Sequence, residues 1–140
     1  MSIKEGNTLI GENNREAVLL FHGLTGSPFE LRQFAKVLHK SGYDVFYPIL
    51  PGHCQSVDAL KMMIWQDWYN FAIEAYDELK KDYDRVYVSG LCLGAVLAVG
   101  IAQERSCVAG IIAISTTLFL DGWSIPWFRF LFPIGLYTVL

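Results

Sequence analysis

The sequence predicts an α/β domain: a mostly parallel sheet with helices on both faces. Three observations lead there. Short continuous apolar runs such as AVLLF (17–21) are the pattern of strands buried on both faces. Between these runs lie segments with apolar residues at helical spacing. The resulting order, β-α-β-α-β-α-β, fits parallel strands joined by covering helices.

Residues 17–21 form the first strand, and His22-Gly23-Leu24-Thr25-Gly26 is a glycine-rich turn. The next helix has clear start signals. Ser27-Pro28-Phe29-Glu30 has the form of a capping box with proline at the first helical position. Leu31, Phe34, Ala35 and Leu38 recur at i, i+3, i+4 and i+7 and make one buried face. Lys36 and Lys40 suit the negative end of the helix dipole, and Gly42 ends the helix. Residues 43–47 form a second strand, closed by Pro48 and a Pro51-Gly52 turn. A long helix covers about 64–81, with Trp65, Trp68, Ala72, Ala75, Tyr76 and Leu79 at helical spacing. Asp77 and Lys81 make an i, i+4 pair on it. Residues 85–89 are a third strand. Residues 93–104 form a helix apolar on nearly every side, hence central, and 108–115 are a fourth strand. Ligands of such open sheets bind beyond the carboxyl ends of the strands. The loops starting at His22, Pro48, Gly90 and Ser115 share that edge.

A length of 140 residues suits one domain, and 53% hydrophobic against 18% charged residues can fill a core. A net charge of −3 without a basic block points away from nucleic acid. The polar N-terminus lacks the apolar core of a secretory leader. Cys54, Cys92 and Cys107 are an odd number in no regular spacing, so a disulfide framework is not expected and a cytoplasmic location is. No cofactor and no metal ion is expected. Residues 123–140 are strongly apolar but broken by Pro126, Arg129, Pro133 and Gly135. A spanning helix needs about 20 mostly apolar residues, so this stretch suits a lid better than a span. A weak contact with a membrane surface stays open.

Gly90-Leu91-Cys92-Leu93-Gly94 joins a strand to a helix, the context that a G-x-nucleophile-x-G elbow requires. The glycines give room where a sharp turn presses helix against strand. Cys92 then projects at the sheet edge beside a helix N-terminus, the end of the dipole that favours an anion. Sulfur is also the stronger nucleophile at neutral pH. Free cysteine is equally a common buried hydrophobe, so the five residues alone leave both roles open. The flanking strand and helix favour the reactive one. Ser89 lies inside the strand rather than at the centre of the elbow. The turn after the first strand can aim the N–H of Leu24 at the same point as the N–H of Leu93. Two such donors are what a tetrahedral intermediate needs; a turn without chemistry is the plain alternative.

Four segments together resemble the N-terminal half of α/β-hydrolases of the bacterial carboxylesterase and monoacylglycerol-lipase group. They are LLFHGLTGSPFELR (19–32), GYDVFYPILPGH (42–53), WQDWYNFAIEAYDEL (65–79) and DRVYVSGLCLGA (84–95). The match covers about residues 16–117. HG-x-TGSP, LPGH and G-x-C-x-G in that order are more specific than any one alone. The resemblance implies an acyl-enzyme mechanism on small carboxylic esters or thioesters. Cys92 is then the nucleophile, and the backbone N–H groups of Leu24 and Leu93 are the oxyanion donors. It also divides the chain into 1–118, part of the hydrolase core, and 119–140, the start of an apolar cap. Two positions depart from the pattern. Cys92 stands where serine is usual, although dienelactone hydrolases of the same fold use cysteine. Cys54 follows His53 where glycine is common; a His53–Cys54 dyad is disfavoured because adjacent loop residues tend to point apart.

A triad on this fold runs nucleophile, acid, histidine along the chain. His22, His39 and His53 all precede Cys92. Asp121 is the one carboxylate after Glu104 and is a candidate triad acid, weighed against simply opening the cap. Strand 108–115 would also be a long apolar edge if nothing paired with it. The sheet is therefore expected to be truncated before its last strands, as in a fragment of a longer hydrolase. Two other functions are carried. One is a non-catalytic acyl-binding module descended from a hydrolase. The other is a class I glutamine amidotransferase, which also has cysteine in a G-x-C-x-G elbow. Its motif usually continues with His-Gln, where Ala95-Val96 stand here.

Overall fold

Alternation along one central strand sets the layers. The computed structural model describes residues 7–12 and 14–116. Within them run β1 (Thr8–Leu9), β2 (Glu16–Phe21), α1 (Pro28–Lys40), β3 (Asp44–Phe46), α2 (Val57–Lys61), α3 (Trp65–Lys80), β4 (Arg85–Leu91), α4 (Leu93–Glu104) and β5 (Gly110–Ile114). The sheet order is β1-β3-β2-β4-β5. All neighbours are parallel except β1, which pairs antiparallel with β3.

Odd residues of β2 (Ala17, Leu19, Phe21) pack on α3 and α4 with Ala72, Tyr76, Leu97 and Ile101. Even residues (Val18, Leu20) pack under α1 with Leu31 and Ala35. The strand is thus buried on both faces, as its unbroken apolar run requires. Each fully buried Leu or Phe contributes about 1.5–3 kcal/mol of apolar transfer. β5 lies at the opposite edge, with Ile111, Ile112 and Ile114 exposed. Among the described residues, the expected apolar edge is therefore present.

Four details differ from the sequence reading. β1 has two residues, too few to show a period of two. α2 has five, too few for a helical period; Ser56 Oγ caps it by accepting from the Ala59 N–H at 3.1 Å. Ser27 makes no side-chain cap on α1; the capping box is absent because Glu30 is engaged elsewhere. Asp77 takes its hydrogen bonds from Arg105, which donates from Nε and Nη2 at 2.9 Å each, while Lys81 adds only a weaker electrostatic attraction. A planar bidentate partner outcompetes a mobile ammonium, and Arg105 holds the Asp77 carboxyl below its ordinary range. Asp121 and the 119–140 cap segment lie outside the described residues.

Asp44, 2% exposed at the start of β3, ties three segments together. It accepts from the Gly11 N–H (2.8 Å), Asn14 Nδ2 (2.8 Å) and the Tyr83 hydroxyl (2.7 Å). A buried carboxylate is tolerated only with donors of this kind. Asp44→Ala leaves those donors unpaired and is expected to cost about 3 kcal/mol, and Tyr83→Phe about 1.5 kcal/mol. Urea unfolding measures both; a negligible loss in Asp44→Ala would contradict the role given to this carboxylate.

Candidate active site

β4 ends at Leu91 and α4 begins at Leu93, so Cys92 alone makes the turn, with φ 55° and ψ −110°. Such a conformation costs a non-glycine residue about 1–3 kcal/mol. Three hydrogen bonds over-determine it. Cys92 N–H donates to the Ile114 carbonyl at 2.9 Å, while its own carbonyl accepts from Ala95 N–H (3.0 Å) and Val96 N–H (3.2 Å). The flanking glycines are required by close approach. A Cβ on Gly90 would lie 2.1 Å from the Gly94 carbonyl carbon, and one on Gly94 would lie 2.1 Å from the Phe21 carbonyl oxygen. The Cys92 side chain is exposed at the positive end of α4. Ser89, by contrast, is buried within β4.

The turn after β2 meets the elbow directly: a Cβ on Gly23 would lie 3.6 Å from Cys92 Cβ. The Gly23 carbonyl accepts from Gly26 N–H at 3.1 Å and from the His22 ring at 2.9 Å. The peptide that follows is trans, so the Leu24 N–H points opposite to that carbonyl. Gly23 N–H donates to Glu30 Oε1 at 2.8 Å. Leu93 is the first residue of α4, and its N–H has no carbonyl four residues back within the helix. A small cleft of about 130 Å³ borders the turn, lined by Leu24, Gly26, His53, Cys54 and Leu60 among others.

The histidines lace loops together. His22 is fully buried. Its Nε2 accepts from Leu50 N–H at 3.2 Å, so the proton sits on Nδ1 and is donated to the Gly23 carbonyl. Burial pushes its pKa below the ordinary value. His53 stands edge-on to it, with ring centres 4.8 Å apart. Its Nε2 lies 2.7 Å from the Leu24 carbonyl and its Nδ1 lies 3.1 Å from the Pro51 carbonyl. Trp68 Nε1 donates to that same Pro51 carbonyl at 2.9 Å. Both His53 nitrogens face carbonyls, so the ring makes no dyad with Cys54. His39 lies in the last turn of α1, with Nδ1 3.1 Å from the Tyr43 carbonyl. Among the described residues, no three His, Cys, Asp or Glu side chains are grouped to hold a metal. No helix among them is long and apolar enough to cross a membrane.

The sequence reading missed how Glu30 and Trp68 serve these loops. Both residues carried a stronger local explanation, a cap and a helical face, and only the fold brings their polar atoms to the turns.

Two predictions follow from this geometry. Gly94→Ala drives a methyl into the β2 backbone and is expected to cost at least about 2 kcal/mol in urea unfolding; a neutral substitution would refute the contact. The unfolded chain protonates His22 near pH 6.5 while the folded chain holds it neutral to lower pH, so stability falls as pH drops below about 6.5. His22→Asn, which keeps a donor toward Gly23, is expected to remove that part of the slope. Equal slopes between about pH 7.5 and 5.5 in both proteins would contradict the assignment.

The family model described as serine aminopeptidase, S33, matches residues 12–137. The chain is 33% identical over 107 residues to the thermostable monoacylglycerol lipase of Bacillus sp. (strain H-257), covering 76% of this chain and 43% of that protein. It is 32% identical over 84 residues to a carboxylesterase of Bacillus subtilis (strain 168), covering 59% of this chain and 34% of that protein. The chain thus spans less than half the length of these curated relatives. A solved structure from work on LipS and LipT, two metagenome-derived lipolytic enzymes, superimposes with a TM-score of 0.75 at 29% identity. That superposition covers 86% of this chain and 50% of the other. With its mostly parallel sheet and the sharp turn at Cys92, this chain belongs to the serine aminopeptidase S33 family of α/β-hydrolases, in the esterase and lipase group.

Proposed function

We propose that this chain carries the nucleophile and the oxyanion donors of a hydrolase acting on small carboxylic esters or thioesters. One observation carries the reading. The exposed Cys92 side chain, at φ 55° on the N-terminus of α4, faces the Gly23 turn. The names of the relatives, a monoacylglycerol lipase and a carboxylesterase, supply the substrate class. The Cys92 thiolate attacks the acyl carbon, and the carbonyl π electrons move to oxygen. The N–H groups of Leu24 and Leu93 donate hydrogen bonds to that oxyanion. Collapse expels the alcohol or thiol, which leaves with a proton, and a thioester stays on Cys92. Water then releases the acid and restores the thiol.

Proton transfer in this cycle is work for an imidazole. His22, His39 and His53 are engaged with backbone groups, and no histidine follows Cys92 in the 140 residues. The reading assigns the base to a segment of the whole protein outside these residues, with Asp121 as one candidate for its carboxylate partner. It keeps 1–118 as core and 119–140 as the start of a cap over the acyl group. A free reactive thiol suits a reducing compartment, which in this reading is the cytoplasm. A second reading, an acyl-binding module without turnover, is favoured by the same engagement of all three histidines.

p-Nitrophenyl acetate distinguishes the outcomes. The acyl-enzyme reading expects a burst of about one equivalent of phenolate and an acetyl thioester on the Cys92 peptide, both lost in Cys92→Ala. Unchanged release by Cys92→Ala contradicts it. An unmodified Cys92 with saturable binding of the acyl group would favour the binding module.

A further inference from the structure

Glu30 takes no part in the acyl transfer just described, yet its carboxylate is built into the turn that presents Leu24. Resting on that reading, we propose that Glu30 is a positioning residue. It fixes the Gly23 amide and thereby sets the direction of the Leu24 N–H.

A glutamate at the third position of a helix ordinarily folds back on the cap residue of its own helix. Here Oε1 instead accepts from Gly23 N–H, seven residues earlier, at 2.8 Å. The carboxylate occupies the inside of the turn: a Cβ on Gly26 would lie 2.2 Å from Oε1 and 2.6 Å from the carboxyl carbon. A side chain at position 26 would therefore displace the Glu30 carboxylate from this place. Its N–H closes the turn on the Gly23 carbonyl at 3.1 Å. Gly23 is then held at both polar groups, its N–H by Glu30 and its carbonyl by Gly26 and His22. With the next peptide trans, the Leu24 N–H has one remaining direction. His53 holds the far side through the Leu24 carbonyl at 2.7 Å.

Two glycines within four residues would otherwise give this turn wide backbone freedom. An oxyanion donor acts only when aimed before charge develops. What the turn needs from Glu30 is an acceptor with the right reach. Its negative charge is no help, since a carboxylate near a developing oxyanion opposes it. Glutamine keeps the reach and the acceptor but loses the charge. Aspartate keeps the charge but is one methylene too short.

The test compares wild type, Glu30→Gln and Glu30→Asp in three measurements. These are acetylation of Cys92 by p-nitrophenyl acetate, alkylation of Cys92 by iodoacetamide, and hydrogen exchange of the Gly23 amide. Glu30→Gln is expected to acetylate within about threefold of wild type, and Glu30→Asp about tenfold or more slowly. Alkylation forms no oxyanion and is expected to stay within about twofold in all three. Gly23 exchange is expected to accelerate in Glu30→Asp alone. Aspartate acetylating at the wild-type rate overturns the proposal. So does glutamine failing with aspartate, which would make Glu30 a base or a charge, and so does alkylation falling in step, which would make it merely structural. If wild type is alkylated but never acetylated, the acyl-transfer reading fails by itself. Gly23 exchange then decides about Glu30: unchanged exchange in Glu30→Asp overturns its hold on the turn, and faster exchange upholds it.

Discussion

The backbone contact between α4 and β2 is the constraint on which the site depends. Gly94 lies so close to the Phe21 carbonyl that no side chain fits between them. Because the helix comes this near, the chain must reverse from β4 into α4 within one residue. That residue is Cys92, forced to positive φ and pushed out at the sheet edge. The same closeness sets the end of β2 and the turn after it beside the elbow, so that a Cβ on Gly23 would touch Cys92 Cβ. Strain at Cys92 persists because the packing of two buried layers, and the hydrogen bonds to Ile114, Ala95 and Val96, hold it.

Around this contact, loops far apart in sequence are joined by single polar atoms. His22 reaches Leu50, His53 reaches Leu24, and Trp68 reaches Pro51. His22 of the HG turn, His53 of LPGH and Trp68 thus belong to one network beside the elbow. The network also uses up the imidazoles. The histidines before Cys92 stabilise loop shape, and a neutral buried His22 suits that role better than proton transfer.

Much of this was legible in the sequence, for physical reasons that can be named. β2, α1, α3 and α4 follow from apolar period and run length, and the elbow from glycine spacing between a strand and a helix. β1 and α2 were invisible because two and five residues carry no period. The capping box failed because Glu30 had a second partner, Gly23, that local sequence does not reveal. Asp77 likewise bonds Arg105 ahead of Lys81, since Arg105 offers two fixed donors across the α3–α4 contact. Local rules name the residues with spare polar atoms. Tertiary structure decides which partner wins.

The central claim is that one point in front of Cys92 is addressed by the N–H groups of both Leu24 and Leu93. The most direct measurement is a crystal structure of the protein after reaction with a short alkyl trifluoromethyl ketone, which captures a thiolate as a hemithioketal. The account predicts a covalent bond to Cys92 Sγ and an oxyanion about 2.7–3.1 Å from both nitrogens. An adduct whose oxygen turns to solvent, or a ketone bound away from Cys92, would contradict it.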